Sequence, residues 1–473
     1  MMMPLHSAAF YVKTFVTKCL QKNGADHSLN DQNGKTALHY AAEKGNLNTC
    51  QILASYGAKV ICLASATQLT PLHFAILCDK TYVAIYLLEN GADHSLKDCF
   101  GNTALHYASE KGNLDICQLL VSHGAEVNCL TSENSTPLHL ATFCDKTCVT
   151  KYLLKNGADP NLKNCYYKTA LHCAAEEANL DICQLLVSHG AEVNFLASAT
   201  QLTPLHFAIL CDKTYVAIYL LENGVDHSLK DCFGNTALHY ASEKGNLDIC
   251  QLLVSHGAEV NCLTSENLTP LHLTTFCDKT CVTKYLLKKG TDPNLKNCYY
   301  KTALHCAAEK ANLDICQILV SCGVEVNYLP SDIKLRLLHL AKSYNKTCLT
   351  KYLPKNGVDH SLKDWRGKTA LHYAAEKGDL DNCQILVSYG AEINCLTSKN
   401  ETALLLALLA ASRFDGYRDS RHLSKKYFAI AGYLFENKAV YHPDITRDVK
   451  DRYRRVLKKI VQDPFKDVAL AKI

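Results

Sequence analysis

Histidines at a regular spacing are the residues of this sequence that most directly suggest chemistry. The 473 residues include 21 histidines, and twelve of these follow a leucine, from His6 to His372. An imidazole can serve as a general base, a proton shuttle or a metal ligand. Each of these roles needs an acidic or cysteine partner at a suitable offset, and none of the twelve has one at ligand spacing. We therefore predict that these histidines are structural.

Two Gly-Lys-Thr stretches, at residues 34–36 and 367–369, match the end of a phosphate-binding loop. Such a loop also requires an upstream glycine, but positions 29 and 362 are leucine and no strand pattern precedes them. The sequence also lacks a nucleophile elbow, a dinucleotide fingerprint and a paired-carboxylate constellation. We predict no catalytic residue, no cofactor and no small-molecule substrate, so the chain is not expected to be an enzyme.

The histidines belong to a tetrapeptide, Thr-Ala-Leu-His or Thr-Pro-Leu-His, that recurs along the chain. Its threonines are 33 or 34 residues apart, or 67 where one copy is degenerate, and they are Thr36, Thr70, Thr103, Thr136, Thr169, Thr203, Thr236, Thr269, Thr302 and Thr369. Degenerate versions begin at Met3, Arg336 and Thr402, which makes about thirteen copies of one unit.

Each unit is predicted to form two short helices. In one copy, Thr103 can cap a first helix with its hydroxyl, and in other copies a proline such as Pro71 suits the first helical position. Gly112 can end that helix, and residues 114–121 form the second one before Gly124. Helices of this length are not stable alone, so neighbouring units must pack against each other.

This pattern resembles the ankyrin repeat family over roughly residues 1–440. The resemblance implies an all-α solenoid of stacked helix-turn-helix units that are joined by short β-hairpin-like loops. It also implies that the Leu-His histidines link neighbouring units by hydrogen bonds, and that the concave surface of loop tips and inner helices binds other proteins.

The 25 cysteines fit this arrangement as reduced residues. One slot of the second helix holds cysteine in every other unit, at Cys50, Cys117, Cys183, Cys250, Cys316 and Cys383. Two layers of helices separate these residues by about 18–20 Å, which is beyond disulfide reach. The pairs Cys144/Cys148 and Cys277/Cys281 have no further Cys or His at zinc-finger spacing, so no metal site is predicted.

Two kinds of unit alternate, and a longer block is duplicated. In the Pro-type units, Asp79 replaces the helix-ending glycine, and either it or Thr81 can cap the second helix. Residues 63–195 recur as residues 196–328 with ten substitutions. Either a partner uses both blocks and gains avidity, or the gene expanded without a matched ligand.

The sequence predicts four segments. Residues 1–328 form about ten regular units, and residues 329–357 form a degenerate unit, where Arg336 replaces the capping threonine and Pro354 falls inside the second helix at an energetic cost. We expect a weakened joint there. Residues 358–440 are terminal repeats, the last with an insertion at 412–424 after a buried helix at 403–411, and residues 441–473 form a basic amphipathic capping helix and tail.

Two groups of residues are candidates for binding. Aromatic residues at the tips of the regular loops either contact a partner or stack on the adjacent hairpin; they are Phe100, Tyr166, Tyr167, Phe233, Tyr299, Tyr300 and Trp365. From Arg413 onward the net charge is +7, against −3 for the rest of the chain. Basic residues of the tail either bind an acidic surface or are a solvated face; they are Arg447, Lys450, Arg452, Arg454, Arg455, Lys458 and Lys459.

We therefore predict a non-enzymatic scaffold or adaptor that binds a partner protein along the concave ankyrin surface. The alternative is a substrate-recognition or effector module for a separate enzyme such as a ubiquitin ligase. Residues 329–335 look like the opening of an F-box, but they lie inside the repeat spacing and no complete F-box follows. The expected partners are one or more proteins rather than nucleic acid, any membrane contact would be peripheral, and the chain is expected to be monomeric. The absence of a long apolar run and of a signal-peptide pattern favours the cytoplasm, with the nucleus as a second location.

Overall fold

A computed structural model describes residues 3–197, 200–327, 347–413 and 421–439. The degenerate tetrapeptide at Arg336, most of the insertion after residue 413 and the basic tail from residue 441 lie outside these ranges. The predictions of a weakened joint and of a capping helix therefore stay predictions.

The described residues form 25 α-helices, and their only β-structure is an isolated bridge between Ala197 and Leu202. The predicted all-α class and the paired helices are thereby confirmed. In chain order the helices are α1 (Pro4–Phe10), α2 (Thr14–Lys22), α3 (Ala37–Lys44), α4 (Leu47–Ser55), α5 (Pro71–Leu77), α6 (Thr81–Glu89), α7 (Ala104–Lys111), α8 (Leu114–Ser122), α9 (Pro137–Phe143), α10 (Thr147–Lys155), α11 (Ala170–Glu177), α12 (Leu180–Ser188), α13 (Pro204–Leu210), α14 (Thr214–Glu222), α15 (Ala237–Lys244), α16 (Leu247–Ser255), α17 (Pro270–Phe276), α18 (Thr280–Lys288), α19 (Ala303–Lys310), α20 (Leu313–Ser321), α21 (Thr347–Lys355), α22 (Ala370–Lys377), α23 (Leu380–Ser388), α24 (Ala403–Arg413) and α25 (Arg421–Glu436).

The tetrapeptide forms a cap on each first helix and a bridge to the next repeat. At the start of α7, the Thr103 N–H donates to Nδ1 of His106 at 3.1 Å. Because Nδ1 accepts this bond, the ring proton lies on Nε2, which donates to the Ser135 carbonyl of the next repeat at 3.0 Å. The same bridge is made by His6, His39, His139, His172, His272 and His372. The predicted bridge is confirmed for these seven histidines. It is not made by His73 and His206, whose buried Nε2 atoms have no hydrogen-bond partner among the described residues and whose rings pack edge-on against Tyr107 and Tyr240 of the next repeat.

The turn between the two helices of a Pro-type repeat differs from the prediction. Asp79 does not cap α6: the N-cap residue is Lys80, which makes no side-chain cap bond, and Asp79 has a left-handed φ of 57°. Its carboxylate instead accepts a hydrogen bond at 3.0 Å from Nδ2 of Asn113, the N-cap residue of α8 in the next repeat. Pro-type turns thus link neighbouring repeats through a residue that the sequence presented as a local cap.

The helices group into two compact units, residues 1–240 and residues 241–473. In the first, Leu105, Leu138 and Leu171 are almost fully buried, and in the second Leu271 and Leu304 take the same place. The six predicted core cysteines are also fully buried. All 25 cysteines lie in the described ranges and are free thiols, as predicted. Each unit is therefore held by one apolar residue set repeated down the chain.

The last repeat has an unusually apolar first helix. Leu404, Leu405, Leu406 and Leu408 of α24 are all buried, and α24 packs against α22 and α25. This confirms the buried helix that the sequence indicated at residues 403–411. Within the described ranges, no helix combines the length and the apolar character needed to cross a membrane.

Candidate functional site

The loops between repeats are short hairpins with fixed tips. In the loop before α7, the Asp98 N–H donates to the carbonyl of Asn102 at 3.0 Å. The Asp98 carboxylate accepts bonds from the N–H groups of Phe100 (2.9 Å) and Asn102 (2.7 Å), and from the Tyr107 hydroxyl. Burial opposes the charge of Asp98, but these bonds together lower its pKa. The backbone at the tip is thus pre-organised.

Neighbouring loops also contact each other through their backbones. The carbonyl of Phe100 accepts hydrogen bonds from the N–H of Ser132 at 2.9 Å and from its hydroxyl at 2.6 Å. The approach is so close that a Cβ added to Gly101 would lie 2.6 Å from the Ser132 nitrogen. The Phe100 tip is therefore supported by the next loop, and the carbonyl of Arg366 is held by Ser398 in the same way.

All seven aromatic residues predicted at the tips are solvent-exposed. Their exposed fractions lie between 40% and 66%, for Phe100, Tyr166, Tyr167, Phe233, Tyr299, Tyr300 and Trp365. Trp365 stacks on the guanidinium of the next residue, Arg366, at 4.6 Å from the ring centroid. The structure thus makes these rings accessible, while their contact with a partner stays a prediction.

Two of these tyrosines adopt a backbone conformation that disfavours them. Tyr167 and Tyr300 have φ values of 58° and 57°, in the left-handed region. That conformation costs an L-residue roughly 1–2 kcal/mol relative to the right-handed one. The equivalent residues in the other regular loops are glycines, namely Gly34, Gly101, Gly234 and Gly367. Closing this turn therefore does not require a tyrosine.

The same two repeats contain a second strained position each. Ala178 and Ala311 follow the first helices α11 and α19 with φ values of 75° and 63°. The corresponding C-cap residues of the other regular repeats are left-handed glycines at Gly45, Gly112, Gly245 and Gly378. Among the described regular repeats, left-handed non-glycine residues at both positions occur only in the two that carry the tyrosine pairs. The four described Pro-type repeats share this backbone, with Gln or Asn at the loop position and Asp after the first helix, as at Gln68 and Asp79. Strained backbone of this kind is found at functional sites.

Salt bridges neutralise the charged groups at the base of both tyrosine loops. Lys168 pairs with Glu176 at 2.7 Å, and Lys301 pairs with Glu309 at 2.7 Å. The Lys168 ammonium also lies 4.4 Å from the ring centroid of Phe207 in the next repeat. These side chains are half-buried, so they support the loop rather than offer a free charge.

Seven exposed aromatic residues of the described ranges were not predicted from the sequence: Tyr11, Phe15, Tyr56, Tyr82, Phe143, Tyr215 and Tyr389. Tyr82 and Tyr215 are 79% and 80% exposed at the second position of α6 and α14, and Phe143 is 56% exposed at the end of α9. The exposure of Tyr82 could have been predicted from the helical spacing of α6, because Val83 and Leu87 form its buried i, i+4 face and Tyr82 lies outside that face. These residues provide a comparison group away from the loop tips.

Burial shifts the pKa values of several histidines and cysteines towards their neutral forms. Burial lowers the pKa of His39 to about 4, and burial raises the pKa of the adjacent Cys62 thiol, which lies 3.8 Å from the His39 ring. The pair Cys129 and His106 repeats this arrangement at 3.7 Å. Since the thiolate is the form of cysteine that acts as a nucleophile, a raised thiol pKa disfavours that role for Cys62. The described ranges contain no cluster of three or more His, Cys, Asp or Glu suited to a metal ion.

These features define a class of protein: a tandem array of helix pairs that presents rigid loop tips to the solvent. The family model for ankyrin repeats (3 copies) matches residues 5–98, 86–164, 147–231, 198–264, 238–329 and 335–417. The chain therefore belongs to the ankyrin repeat family, as the tetrapeptide predicted.

Similar proteins share the repeats rather than the whole architecture. The chain is 29% identical over 181 residues to a transient receptor potential cation channel subfamily A member 1 homolog of Caenorhabditis elegans, covering 31% of this chain and 15% of that protein. It is also 29% identical over 198 residues to inversin of Mus musculus and of Homo sapiens, covering 40% of this chain and 18% of inversin. The human ASB11 ankyrin repeat domain is 25% identical, with a TM-score of 0.44 over 47% of this chain and 99% of that domain.

Proposed function

We propose that this protein is a non-enzymatic scaffold or adaptor that binds a partner protein along the concave surface of ankyrin loop tips and first helices. The tyrosine pairs Tyr166–Tyr167 and Tyr299–Tyr300 are its main contacts. Ankyrin repeats are interaction modules, which supports the general function. The observation that carries the specific proposal is the left-handed conformation of Tyr167 and Tyr300.

Glycine would adopt this conformation without the cost, whereas the Pro-type loops hold Gln68, Asn134, Gln201 and Asn267 there at φ values of 54–56°. Four sister loops close the same turn with glycine, and Tyr167 and Tyr300 are 48% and 40% exposed, so neither ring fills a core. A strained, exposed aromatic residue fits a role in recognition, because tyrosine supplies a large amphipathic contact area and is enriched among residues that dominate binding energy.

The tyrosine loops are also pre-organised for binding. The Asn164 side chain accepts hydrogen bonds from the N–H groups of Tyr166 and Lys168, both at 3.0 Å, and the Tyr167 N–H donates to the Asn164 carbonyl at 2.9 Å. In the second copy, Asn297 makes the corresponding bonds to Tyr299, Tyr300 and Lys301. A fixed backbone loses little entropy when a partner binds, which raises affinity.

The proposal is tested by removing both tyrosine pairs. The variant carries Tyr166→Ala, Tyr167→Gly, Tyr299→Ala and Tyr300→Gly, and its partners are compared with those of the native chain by proximity labelling in cells. We expect loss of the principal partners without loss of folding, since glycine is the residue of the sister loops. The matched control replaces Tyr82 and Tyr215 with alanine and should leave the partner profile intact. An unchanged profile in the quadruple variant would refute the proposal.

A further inference from the structure

The two repeats that carry tyrosine pairs differ from each other in the last residue of the first helix. Among the six described first helices of the regular repeats that begin with alanine and are followed by a left-handed C-cap, five end in lysine, at Lys44, Lys111, Lys244, Lys310 and Lys377. The exception is Glu177, at the end of α11. A carboxylate there faces the negative end of the helix dipole, whereas a lysine is favoured. Glu177 is therefore a third unfavourable choice in the repeat that already holds Tyr167 and Ala178.

The duplication places opposite charges at the ends of the first helices that follow the two tyrosine loops. Residues 63–195 and 196–328 differ at ten positions, and one of these is Glu177 against Lys310. Both side chains are exposed. Asn156 against Lys289 is also exposed in both copies and adds a further positive charge to the second block. Surface divergence between the blocks is thus largely a change of charge.

The charged groups near Glu177 and near Lys310 differ between the two copies in the same sense. Cys144 lies at the end of the preceding first helix, where burial raises its pKa, Glu110 and Glu177 raise it further, and Lys146 and Lys111 lower it. For Cys277 in the second copy, burial and Glu243 raise the pKa while Lys279 and Lys310 lower it. Two carboxylates act on the cysteine of the first copy and one acts on that of the second, while two lysines act on each. The first environment is therefore the more acidic of the two.

We propose that the two tyrosine pairs bind peptide segments of opposite charge. The segment on Tyr166 and Tyr167 carries a basic residue that meets Glu177, and the segment on Tyr299 and Tyr300 carries an acidic residue that meets Lys310. The first helix of eight residues is about 12 Å long at 1.5 Å per residue. An extended segment of about four residues spans that length. This inference rests on the proposed function and specifies the partner chemistry of each copy.

The test uses the full chain with one of the two tyrosine pairs replaced in each variant. One variant carries Tyr299→Ala and Tyr300→Gly and keeps the first site; the other carries Tyr166→Ala and Tyr167→Gly and keeps the second. Each is used to select from a random peptide library displayed on phage, and the enriched peptides are synthesised and titrated by fluorescence polarisation at low and at physiological ionic strength. We expect basic peptides for the first site and acidic peptides for the second.

Charge reversal makes the inference refutable. Glu177→Lys on the first-site variant should weaken its peptides about fivefold at low ionic strength, the upper range for an exposed ion pair. Lys310→Glu should do the same on the second-site variant. Lys244→Glu is the control, because it ends a first helix whose loop has no tyrosine pair. Tyrosine-dependent peptides of the same charge at both sites, or affinities unmoved by the reversals, would overturn this inference alone. Failure of the native chain to enrich tyrosine-dependent peptides would overturn it together with the proposed function.

Discussion

Replacing Ala178 with glycine should stabilise the protein, which tests whether the left-handed positions are strained. Ala178 follows α11 with φ 75° and ψ 22°, while Gly45 and Gly112 occupy the same site with φ 75° and 78°. The left-handed conformation costs alanine about 1–2 kcal/mol. Glycine gives back about 0.4–1 kcal/mol through the greater freedom of the unfolded chain. The expected net gain is therefore about 0.5–1 kcal/mol.

The assay is equilibrium unfolding in urea, followed by far-ultraviolet circular dichroism. A higher midpoint with an unchanged slope is the expected result for Ala178→Gly, and Ala311→Gly should repeat it in the second unit. The control is Ala54→Gly, a half-buried position inside α4, where glycine should cost about 1 kcal/mol. Replacing alanine with glycine should thus raise the free energy of unfolding where the backbone is left-handed and lower it where the backbone is right-handed.

A midpoint for Ala178→Gly equal to or below that of the native chain would refute this reasoning. The consequence would extend beyond the C-cap, because the argument for Tyr167 and Tyr300 relies on the same region of backbone conformation. The tyrosines would then need no explanation beyond sequence drift.

Three further predictions concern stability. Tyr167→Gly should leave the urea midpoint equal or higher while weakening partner binding; a lower midpoint would contradict the strain argument. Gly101→Ala should cost about 2 kcal/mol or more, because its Cβ would lie 2.6 Å from the Ser132 nitrogen. Gly24→Ala has a similar φ of 79° but no atom within 4 Å, so equal losses in the two variants would contradict the contact argument. Burial lowers the pKa of His39, His106 and His172 to about 4, below the ordinary 6.5. As the pH falls, these histidines bind protons in the unfolded chain before they do so in the folded one. Their contribution to the free energy of unfolding is therefore complete above about pH 6.5 and is lost as the pH falls towards 4, by about 1 kcal/mol for each histidine at pH 5.5. An unchanged urea midpoint between pH 7.5 and 5.5 would refute this prediction.

Local residue chemistry made most of the fold predictable. Thr103 followed by Leu-His indicates a cap because a hydroxyl and an imidazole are the groups that can bond the first turn of a helix, and the structure places both there. Exposure of Phe100 followed similarly from its place between Asp98 and Gly101, a turn sequence.

Relations between repeats were harder to predict than features within one. Asp79 looked like a cap for its own helix, but its partner is Asn113, 34 positions later in the chain. The strain at Tyr167 was present in the sequence as a tyrosine aligned with glycines, yet its meaning depends on a φ value that composition and periodicity do not supply. Partner identity depends on surface charge and shape, which the repeat pattern does not constrain.

The histidine bridges give the array a direction. In each bridge described above, the donor ring precedes its acceptor carbonyl in the chain, as His106 precedes Ser135. Loss of the following repeat uncovers a ring N–H donor, whereas loss of the preceding repeat uncovers a backbone carbonyl acceptor. The two ends of a row of repeats therefore present hydrogen-bonding groups of opposite kind.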